Sequence, residues 1–530
     1  MTPIVVATRR LALSKDDDTR SLFVAVVVGL LGLGTYLWQI SVPIYLQLYD
    51  SGVYLAGAMH LVSGVMPYRD FAFVQPPGIL IILSPVALLS RLLGTHEGFL
   101  VARIIGACVS ALDASLLAWL VRRRGMLAMF VSGVGMALTP VAMFFSSEIR
   151  LEPYCFLFLL LGSLKVASSR TSPSPSTRAI VVAGVLFGLA ASIEFWAFFA
   201  FLAMVLSLVP DSRRRALGFA LGAGAGLIAP CLPFLLVAPR AFVTQVFLEQ
   251  LHHPHLGGTL GRRLVEISGF AGTNVAPSGA EALCGFIALI AVGAVVVDHR
   301  KYRVIESYLL LSSILCLVGL LAAPAAYTDY GYFAAPFFFG VLGLIAARIG
   351  EHVVRLSRIV LHSSVIRRFV GTLGAIAGVA FVVGALSFDT TFYSIDLPLT
   401  GVNASAISSM SRAIPKGSCV IYDTVGMGLV ADRFVTSDPE CPALVDPYGE
   451  SMAWGYQLGS PQSRAVAFWR TNLADATYLV VAVPIAESPE AVHQNPYQGM
   501  ISWNESLLSW FKDHYRLQSC RPECVYRRVT

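Results

Sequence analysis

Long apolar runs separated by short polar loops recur along the first three quarters of this 530-residue chain. Many of the runs last about 17 to 25 residues, and a helix of that length crosses the roughly 30 Å hydrocarbon layer of a bilayer. Unpaired backbone groups in lipid cost several kcal/mol each, and the alternating pattern of membrane strands is absent, so the spans must be helical. Hydrophobic residues make up 56% of the chain and charged residues 13%. We therefore predict a polytopic α-helical membrane protein.

Basic residues cluster in the short loops between apolar runs, which is the pattern of cytoplasmic loops. The formal charge of +6 is thus explained by topology and does not indicate a nucleic-acid partner. Placing the clusters inside predicts about eleven spans in a plasma or inner membrane, with a cytoplasmic N-terminus and an extracytoplasmic C-terminus. The first apolar run has no small-residue cleavage site after it and is predicted to be a retained span. The predicted spans cover residues 21–41, 99–121, 126–145, 154–168, 179–194, 196–210, 217–238, 282–298, 308–326, 333–350 and 369–387.

One apolar run does not fit this topology. The run GILIILSPVALLSRLLG, from Gly78, would be a twelfth span and would put three consecutive arginines outside. It contains Pro85 and Arg91 and is only about 17 residues long, so we predict a re-entrant or surface-lying helix. The first outer loop, residues 42–98, is then expected to be built of amphipathic helices at the membrane surface.

The final part of the chain, residues 388–530, differs in composition from the predicted transmembrane domain at 1–387. It has ordinary charge, and strand-like pieces such as SCVIYD and ATYLVVAV are bounded by Gly, Pro and Asp. We predict a small extracytoplasmic α/β domain. Its four cysteines allow two disulfides in three possible pairings, or four free thiols. They are Cys419, Cys441, Cys520 and Cys524.

No metal site is predicted. The CRPEC segment lacks a second cysteine pair at a suitable spacing, and the HHPH cluster at 252–255 has the composition of a metal site but not the spacing of a standard cage. No cofactor is expected, and divalent-metal assistance is left open.

Three acidic residues lie at predicted outer ends of spans. Asp50 follows the first span, and the segment FFSSEIRLEPY places Glu148 and Glu152 at the outer end of the third. A carboxylate held at the membrane surface can act on a lipid-borne substrate whose reactive head lies in water, and two such groups can share acid–base work. Taken singly, each is more often a solvated residue at a helix end.

Candidate substrate-binding residues accompany these acids on the predicted outer side. Arginine suits a phosphate because its fork can bind two oxygens at once, whereas Asp70 is expected either to bind sugar hydroxyls or to pair with its neighbour. Tyrosines before the tenth span could line a sugar pocket or belong to the interfacial aromatic belt. The candidates are Arg69, Asp70, Arg150, Arg262, Arg263, Tyr330 and Tyr332.

Three segments together resemble the GT-C superfamily of polyprenyl-phosphate-sugar-dependent glycosyltransferases, in the protein O-mannosyltransferase and aminoarabinose transferase branch. They are YDSGVYLAGAMHLVSG, PYRDFAFVQPPG and SSEIRLEPYCFLFLLLG. The resemblance covers about residues 20 to 170 and implies a GT-C-like fold. It implies that Asp50 is the general base that deprotonates the acceptor. Glu152, just before Pro153, is favoured over Glu148 as the second acid, and Gln75 stands where the family often has Lys.

The resemblance implies an inverting glycosyltransferase of the cell envelope. It would move a hexose or pentose from a polyprenyl-phosphate donor to a glycan, lipid or protein acceptor on the outer face. The alternatives are a glycan or lipid transporter or flippase, with Asp113 and Glu194 as intramembrane groups, and a non-catalytic assembly protein whose outer domain binds glycan. Membrane lipid is expected as a partner in each case.

Overall fold

The structure of the chain is a computed structural model. It describes residues 15–41, 48–169, 176–252, 258–273, 276–297, 303–360, 404–436, 438, 440–453, 463–481, 484–485, 501, 503–520 and 523–529. The predicted span at 369–387 and most of the HHPH cluster lie outside these residues.

Helices account for nearly all of the described structure up to residue 360. They are α1 (Lys15–Ser41), α2 (Leu48–Val62), α3 (Gly78–Leu93), α4 (Thr95–Leu120), α5 (Met126–Leu138), α6 (Pro140–Phe145), α7 (Glu152–Ser169), α8 (Thr177–Ala191), α9 (Ala197–Leu208), α10 (Arg213–Val237), α11 (Pro239–Val243), α12 (Glu249–His252), α13 (Leu260–Ser268), α14 (Gly279–Val296), α15 (Arg303–Ala322) and α16 (Asp329–Val360). A short 3₁₀ turn at Arg122–Arg124 follows α4, and a π-helical turn at Thr244–Leu248 joins α11 to α12.

Six helical segments among the described residues are long and apolar enough to cross a membrane, and the chain is a multi-pass membrane protein. They are Asp18–Ser41, Thr95–Leu120, Arg213–Val237, Gly279–Val296, Val304–Ala322 and Asp329–Val353. Four shorter apolar helices, α3, α5, α8 and α9, lie between them. The total of eleven spans stays a prediction.

The predicted span at 126–145 is interrupted. Thr139 has an extended backbone (ψ 135°) between α5 and α6, and Pro140 begins the second helix. Proline disfavours the helical conformation in the residue before it and suits the first turn of a new helix. The two pieces therefore meet at an angle that the apolar pattern alone did not reveal.

Helix α3 confirms that a helix forms in the predicted first outer loop. Its buried residues recur at helical spacing and include Ile79, Leu83 and Val86, whereas Leu88 and Leu92 on other faces are exposed. Gly94, with a φ of 106°, separates α3 from α4. A positive φ of this size is readily available only to glycine, so this one residue makes the turn between the two helices.

The helix pair α8–α10 is packed through glycines on both partners. A Cβ atom added to Gly184 or Gly188 would lie about 2 Å from a backbone oxygen of α10, at Phe219 or Ala223. Helices inside a membrane gain no hydrophobic driving force from each other, so close backbone packing of this kind is what holds them together.

The described residues between 404 and 529 form a unit of helices and strands that we call the C-terminal unit. Its elements are α17 (Ala404–Ala413), β1 (Val420–Tyr422), α18 (Gly426–Val430), α19 (Pro447–Ala453), α20 (Ser463–Asp475), β2 (Tyr478–Val481), α21 (Glu505–His514), β3 (Tyr515–Cys520) and β4 (Cys524–Arg528). The sheet order is β1-β2-β4-β3, with β1 and β2 parallel and the other pairs antiparallel. The two strands expected from SCVIYD and ATYLVVAV are confirmed.

The C-terminal unit has its own core and also shares one with the first loop. Trp469 and Trp503 are fully buried beside β2 in the first of these cores. In the second, Met427 and Leu429 of α18 join one hydrophobic cluster with Tyr54 of α2 and Phe73 of the first loop. Disulfides join Cys419 to Cys441 and Cys520 to Cys524, which selects one of the three possible pairings.

A valine at Gly226 of α10 is expected to destabilise the helix pair. A Cβ atom there would lie 2.1 Å from the carbonyl oxygen of Val185. Overpacking of this kind costs about 1–3 kcal/mol. Thermal denaturation in detergent should show a lower melting temperature for Gly226→Val. Gly224→Val is the matched control, because no atom lies within 4 Å of a Cβ added at Gly224 on the same helix. Equal melting temperatures for the two variants would contradict the packing.

Candidate active site

Arg150 lies at the centre of three carboxylates from three different helices, a group that we call the carboxylate cluster. Its Nη1 donates to Oδ2 of Asp50 at 2.5 Å, and its Nη2 donates to Oε1 of Glu152 at 3.3 Å and to Oδ2 of Asp329. The guanidinium also lies 4.6 Å from the centre of the Phe145 ring. The two predicted acids Asp50 and Glu152 are thus joined by the predicted arginine between them.

Each carboxylate of the cluster stands in the first turn of a helix. Asp50 lies in the first turn of α2, Glu152 begins α7 and Asp329 begins α16. The N-terminus of a helix carries unsatisfied N–H groups and a partial positive charge, so it favours a carboxylate. Three helix ends therefore stabilise the negative charge that one guanidinium alone would not balance.

Exposure separates the members of the cluster. The Arg150 and Glu152 side chains are each 4% exposed, whereas Asp329 is 23% and Asp50 is 34% exposed. Of the two carboxylate oxygens of Asp50, only Oδ2 has a hydrogen-bond partner among the described residues. Asp50 is therefore the carboxylate held by the arginine on one oxygen and most open to an incoming group on the other.

The cluster keeps Arg150 charged. Burial of the guanidinium disfavours the charged form, but the charges of Glu152, Asp329 and Asp50 outweigh this and hold the pKa of Arg150 well above its usual value. The arginine acts as a fixed cation, and its fork geometry sets the positions of the acids around it.

Glu148 lies beside the cluster and has a different partner. It is 2% exposed, and its Oε2 accepts a hydrogen bond from the Ser51 hydroxyl at 2.9 Å. Ser51 also accepts from the backbone N–H of Ile149 at 3.1 Å. Glu148 thus ties the residue after Asp50 to the loop before α7, while Glu152 contacts the Arg150 guanidinium directly.

Aromatic side chains line one side of the cluster. Tyr330 stands next to Asp329, and its ring centre lies 5.4 Å from that of Trp196 and 5.8 Å from that of Tyr327. Tyr54, one turn after Asp50, is 5% exposed. Burial, reinforced by the charge of Asp50, raises the pKa of Tyr54 well above its usual value, so it stays neutral.

Tyr332 points into the helix bundle. It is 1% exposed, and its hydroxyl lies 2.9 Å from Oγ of Ser146 and 3.1 Å from Oγ of Ser110. The structure therefore places Tyr332 in the polar interior behind the cluster, while Tyr330 is half-buried beside it.

The C-terminal unit reaches the cluster through Asp446 and Tyr448. The Tyr49 hydroxyl donates to Oδ1 of Asp446 at 2.7 Å and accepts from the backbone N–H of Tyr448 at 2.9 Å. Tyr448 is also hydrogen-bonded to Tyr327. Asp446 is 4% exposed, and burial raises its pKa to about 6.

Two further buried acids lie between the first loop and the C-terminal unit. Glu450 accepts from the backbone N–H of Ala72 at 2.7 Å, and burial raises its pKa to about 7. Glu249 is 6% exposed, and neither of its oxygens has a hydrogen-bond partner within the described residues. Burial, with the charges of Asp446 and Glu450, raises the pKa of Glu249 to about 8.

The remaining predicted site residues form no hydrogen bond or ion pair with Arg150 within the described part of the chain. The Arg69 guanidinium donates to both carboxylate oxygens of Asp70, each at 2.8 Å, in an exposed ion pair. The contact with Arg69 holds the pKa of Asp70 below its usual value. The carbonyl of Gln75 accepts from the Tyr68 hydroxyl at 2.7 Å. Arg262 pairs loosely with Glu266 and is 68% exposed. Arg263 donates to the carbonyls of Leu321, Ala323 and Pro324.

Asp329 and the acids of the C-terminal unit are functional candidates that the sequence alone did not assign to the site. Asp329 lies among the tyrosines before the tenth predicted span, and its position at the end of a span is the same signal that selected Asp50. Asp446 lies 397 residues from its partner Tyr49, and no local pattern links the two. Within the described residues, no group of three or more His, Cys, Asp or Glu side chains is arranged to hold a metal ion.

Comparison with known proteins shows the fold. The structure of ArnT from Cupriavidus metallidurans bound to undecaprenyl phosphate is similar with a TM-score of 0.53 and 13% identity, over 98% of this chain and 99% of ArnT. The archaeal oligosaccharyltransferase AglB from Archaeoglobus fulgidus, in complex with an inhibitory peptide and a dolichol-phosphate, gives a TM-score of 0.54 and 13% identity, over 98% of this chain and 75% of AglB. No family model and no curated protein sequence matches the chain. The GT-C-like fold expected from the sequence is confirmed.

Replacing Arg150 with methionine is expected to destabilise the protein strongly. Removing the cation leaves the buried carboxylates without a counter-charge. The removal of one partner of a buried ion pair lowers stability by about 3–5 kcal/mol. Thermal denaturation in detergent measures the loss. Arg69→Met is the control, because an exposed ion pair contributes little to stability. A melting temperature for Arg150→Met equal to that of Arg69→Met would show that the cluster does not stabilise the fold.

Replacing Glu249 with glutamine is expected to stabilise the protein at alkaline pH. Because the pKa of Glu249 is raised to about 8 in the folded state, the folded protein keeps a proton that the unfolded chain loses near pH 4.5. That stabilisation is complete at low pH and is lost as the pH rises through about 8. Glu249→Gln should raise stability at pH 9 by on the order of 2 kcal/mol relative to its effect at pH 5. Melting curves across this pH range test it, with Glu505→Gln on the exposed start of α21 as control. A pH-independent difference would contradict the raised pKa.

Proposed function

We propose that this protein is a glycosyltransferase that moves a sugar from a polyprenyl-phosphate donor to an acceptor on the extracytoplasmic face of the membrane. The observation that carries the proposal is the position of Asp50. Its carboxylate is partly exposed, and a buried arginine holds it where the starts of three helices meet. The fold supports it, since the similar ArnT and AglB structures hold undecaprenyl phosphate and a dolichol-phosphate respectively. Both ligands are polyprenyl phosphates.

Asp50 acts as the general base in this proposal. Its free oxygen takes the proton from an acceptor hydroxyl or amine, and the acceptor atom attacks the anomeric carbon of the donor. The bond from that carbon to the phosphate oxygen breaks, and the polyprenyl phosphate leaves with the electron pair. Attack opposite to the leaving group inverts the anomeric centre. The proton on Asp50 then passes to solvent, which the exposure of this side chain allows.

Arg150 and Glu152 position the base. Arg150 holds Oδ2 of Asp50 and leaves the other oxygen for the acceptor, and Glu152 binds the other terminal nitrogen of the same guanidinium. Glu148 acts on Asp50 only indirectly, through its hydrogen bond with the hydroxyl of Ser51, the next residue in the chain. We therefore favour Glu152 over Glu148 as the second acid of the site.

The leaving phosphate needs a cation, and the guanidinium of Arg150 is already occupied by carboxylates. Among the predicted arginines, Arg262 is the most exposed, at 68%, and it lies in α13. We propose Arg262 as the phosphate-facing cation, with Tyr330 beside the sugar and Arg69 and Asp70 at the rim of the first loop.

The transporter alternative depends on Asp113 and Glu194. Asp113 is fully buried in α4, and Glu194 is 6% exposed at the junction of α8 and α9, within electrostatic range of Glu152, Asp329 and Arg150. Glu194 therefore belongs with the carboxylate cluster, which supports an enzyme with one site. We place residues 388–530 on the extracytoplasmic side, where an oxidising exterior allows the two disulfides.

Asp50→Asn is expected to lower the rate of sugar transfer about 10²- to 10⁴-fold, the usual contribution of a general base. The assay follows labelled sugar from a panel of undecaprenyl-phosphate sugars into acceptor in native membranes. Thermal stabilisation by undecaprenyl phosphate should be unchanged in this variant, because the base does not bind the lipid. Asp513→Asn, on an exposed face of α21, is the control.

Two results would count against this assignment. Full activity of Asp50→Asn would show that another group is the base. No transfer from any donor in the panel, together with no stabilisation of the wild-type protein by undecaprenyl phosphate, would show that the substrate class is wrong.

A further inference from the structure

The residues on both sides of Asp50 are each tied to a different part of the molecule. Tyr49 donates to Asp446 of the C-terminal unit at 2.7 Å, and Ser51 donates to Glu148 at 2.9 Å. Gly52 meets the backbone of Gly426 so closely that an added Cβ atom would lie 2.3 Å from the Gly426 nitrogen. The first turn of α2 is thus held from several directions.

Two of these contacts come from the C-terminal unit. Asp446 is 4% exposed, and its Oδ1 also accepts from the backbone N–H of Gly449 at 2.8 Å. This second bond fixes the carboxylate before Tyr49 approaches it. The backbone N–H of Tyr448 donates to the Tyr49 hydroxyl at 2.9 Å, so the phenol is bound both as donor and as acceptor.

The hydrogen bonds of Tyr49 restrict the residue beside it. A phenol bound at two points leaves its own backbone little freedom, and the next residue is Asp50. Displacement of a catalytic group by about 1 Å can cost about 100-fold in rate. A contact that fixes Tyr49 therefore has a direct effect on the direction in which Asp50 presents its open oxygen.

We propose that Asp446 is a positioning residue for the catalytic base, acting through the hydroxyl of Tyr49, so that the C-terminal unit forms part of the catalytic centre. This inference rests on the proposed function, because it assumes that Asp50 is the base. It assigns to the C-terminal unit a role in the chemical step itself, beyond docking on the membrane helices.

A second contact between the same two parts of the chain provides a control. Asp432 of the C-terminal unit accepts from the backbone N–H of Thr95 at 3.0 Å and pairs with Lys416 at 2.5 Å. Thr95 begins α4, and neither residue contacts Asp50. Asp432 therefore shares the docking role of Asp446 without the connection to the base.

The test compares Tyr49→Phe, Asp446→Ala, their double variant, Asp446→Asn and Asp432→Ala in the full-length protein. Tyr49→Phe and Asp446→Ala should each lower kcat about tenfold, and the double variant should be no slower than either. The KM for the undecaprenyl-phosphate sugar should stay within about twofold. Asp446→Asn should retain most of the activity, since an amide oxygen still accepts from Tyr49. Asp432→Ala should keep the wild-type kcat, because it removes the docking contact with Thr95 and leaves Tyr49 untouched.

Several outcomes would overturn the inference. They are an unchanged kcat in Tyr49→Phe, multiplicative losses in the double variant, or a loss in Asp432→Ala as large as that in Asp446→Ala. Tyr49→Phe keeps the test valid if Asp446→Ala fails to fold, because it removes only one hydroxyl. Asp50→Asn separates the two proposals. If that variant is inactive while Tyr49→Phe is fully active, only the positioning role fails; if it is active, the base itself is wrong.

Discussion

One buried guanidinium governs the arrangement of the candidate site. Arg150 contacts carboxylates from the starts of α2, α7 and α16, and these helices begin at widely separated points of the chain. Burying a cation is unfavourable unless anions surround it, and burying three anions is unfavourable without a cation. The helix starts can therefore meet only at this arginine, and that requirement fixes which ends of the helices share one side of the bundle.

A buried cation is also balanced by an anion at the opposite end of the bundle, in an ion pair of only two side chains. Arg124, after α4, binds the carboxylate of Glu306 at the start of α15 through two bonds of 2.6 and 2.7 Å. Both side chains are less than 10% exposed. The two ion-pair sites lie at opposite ends of the α5–α6 segment, since Arg124 precedes α5 and Arg150 follows α6. Arg124 thus contributes to the packing of the helices.

The sequence predicted the helical membrane fold and the strands near Val420 and Tyr478. It also selected Asp50, Arg150 and Glu152 as candidate site residues, and the structure brings these three side chains into contact. These features are local, since apolar length, alternation and acids at span ends can be read within a few residues. The break at Thr139 was missed because an apolar run continues through Pro140. The link between Tyr49 and Asp446 was missed because it joins positions 397 residues apart, and only the folded chain brings them together. Whether the bundle has eleven spans stays a prediction.

The separation of Tyr49 and Asp446 also has a consequence for how the protein is made. A ribosome delivers the turn that carries Asp50 long before it delivers the segment around Asp446. During that interval the membrane helices can assemble around Arg150, but the support for Tyr49 is missing. The centre is therefore completed late in biosynthesis, when the last part of the chain has folded onto the first loop.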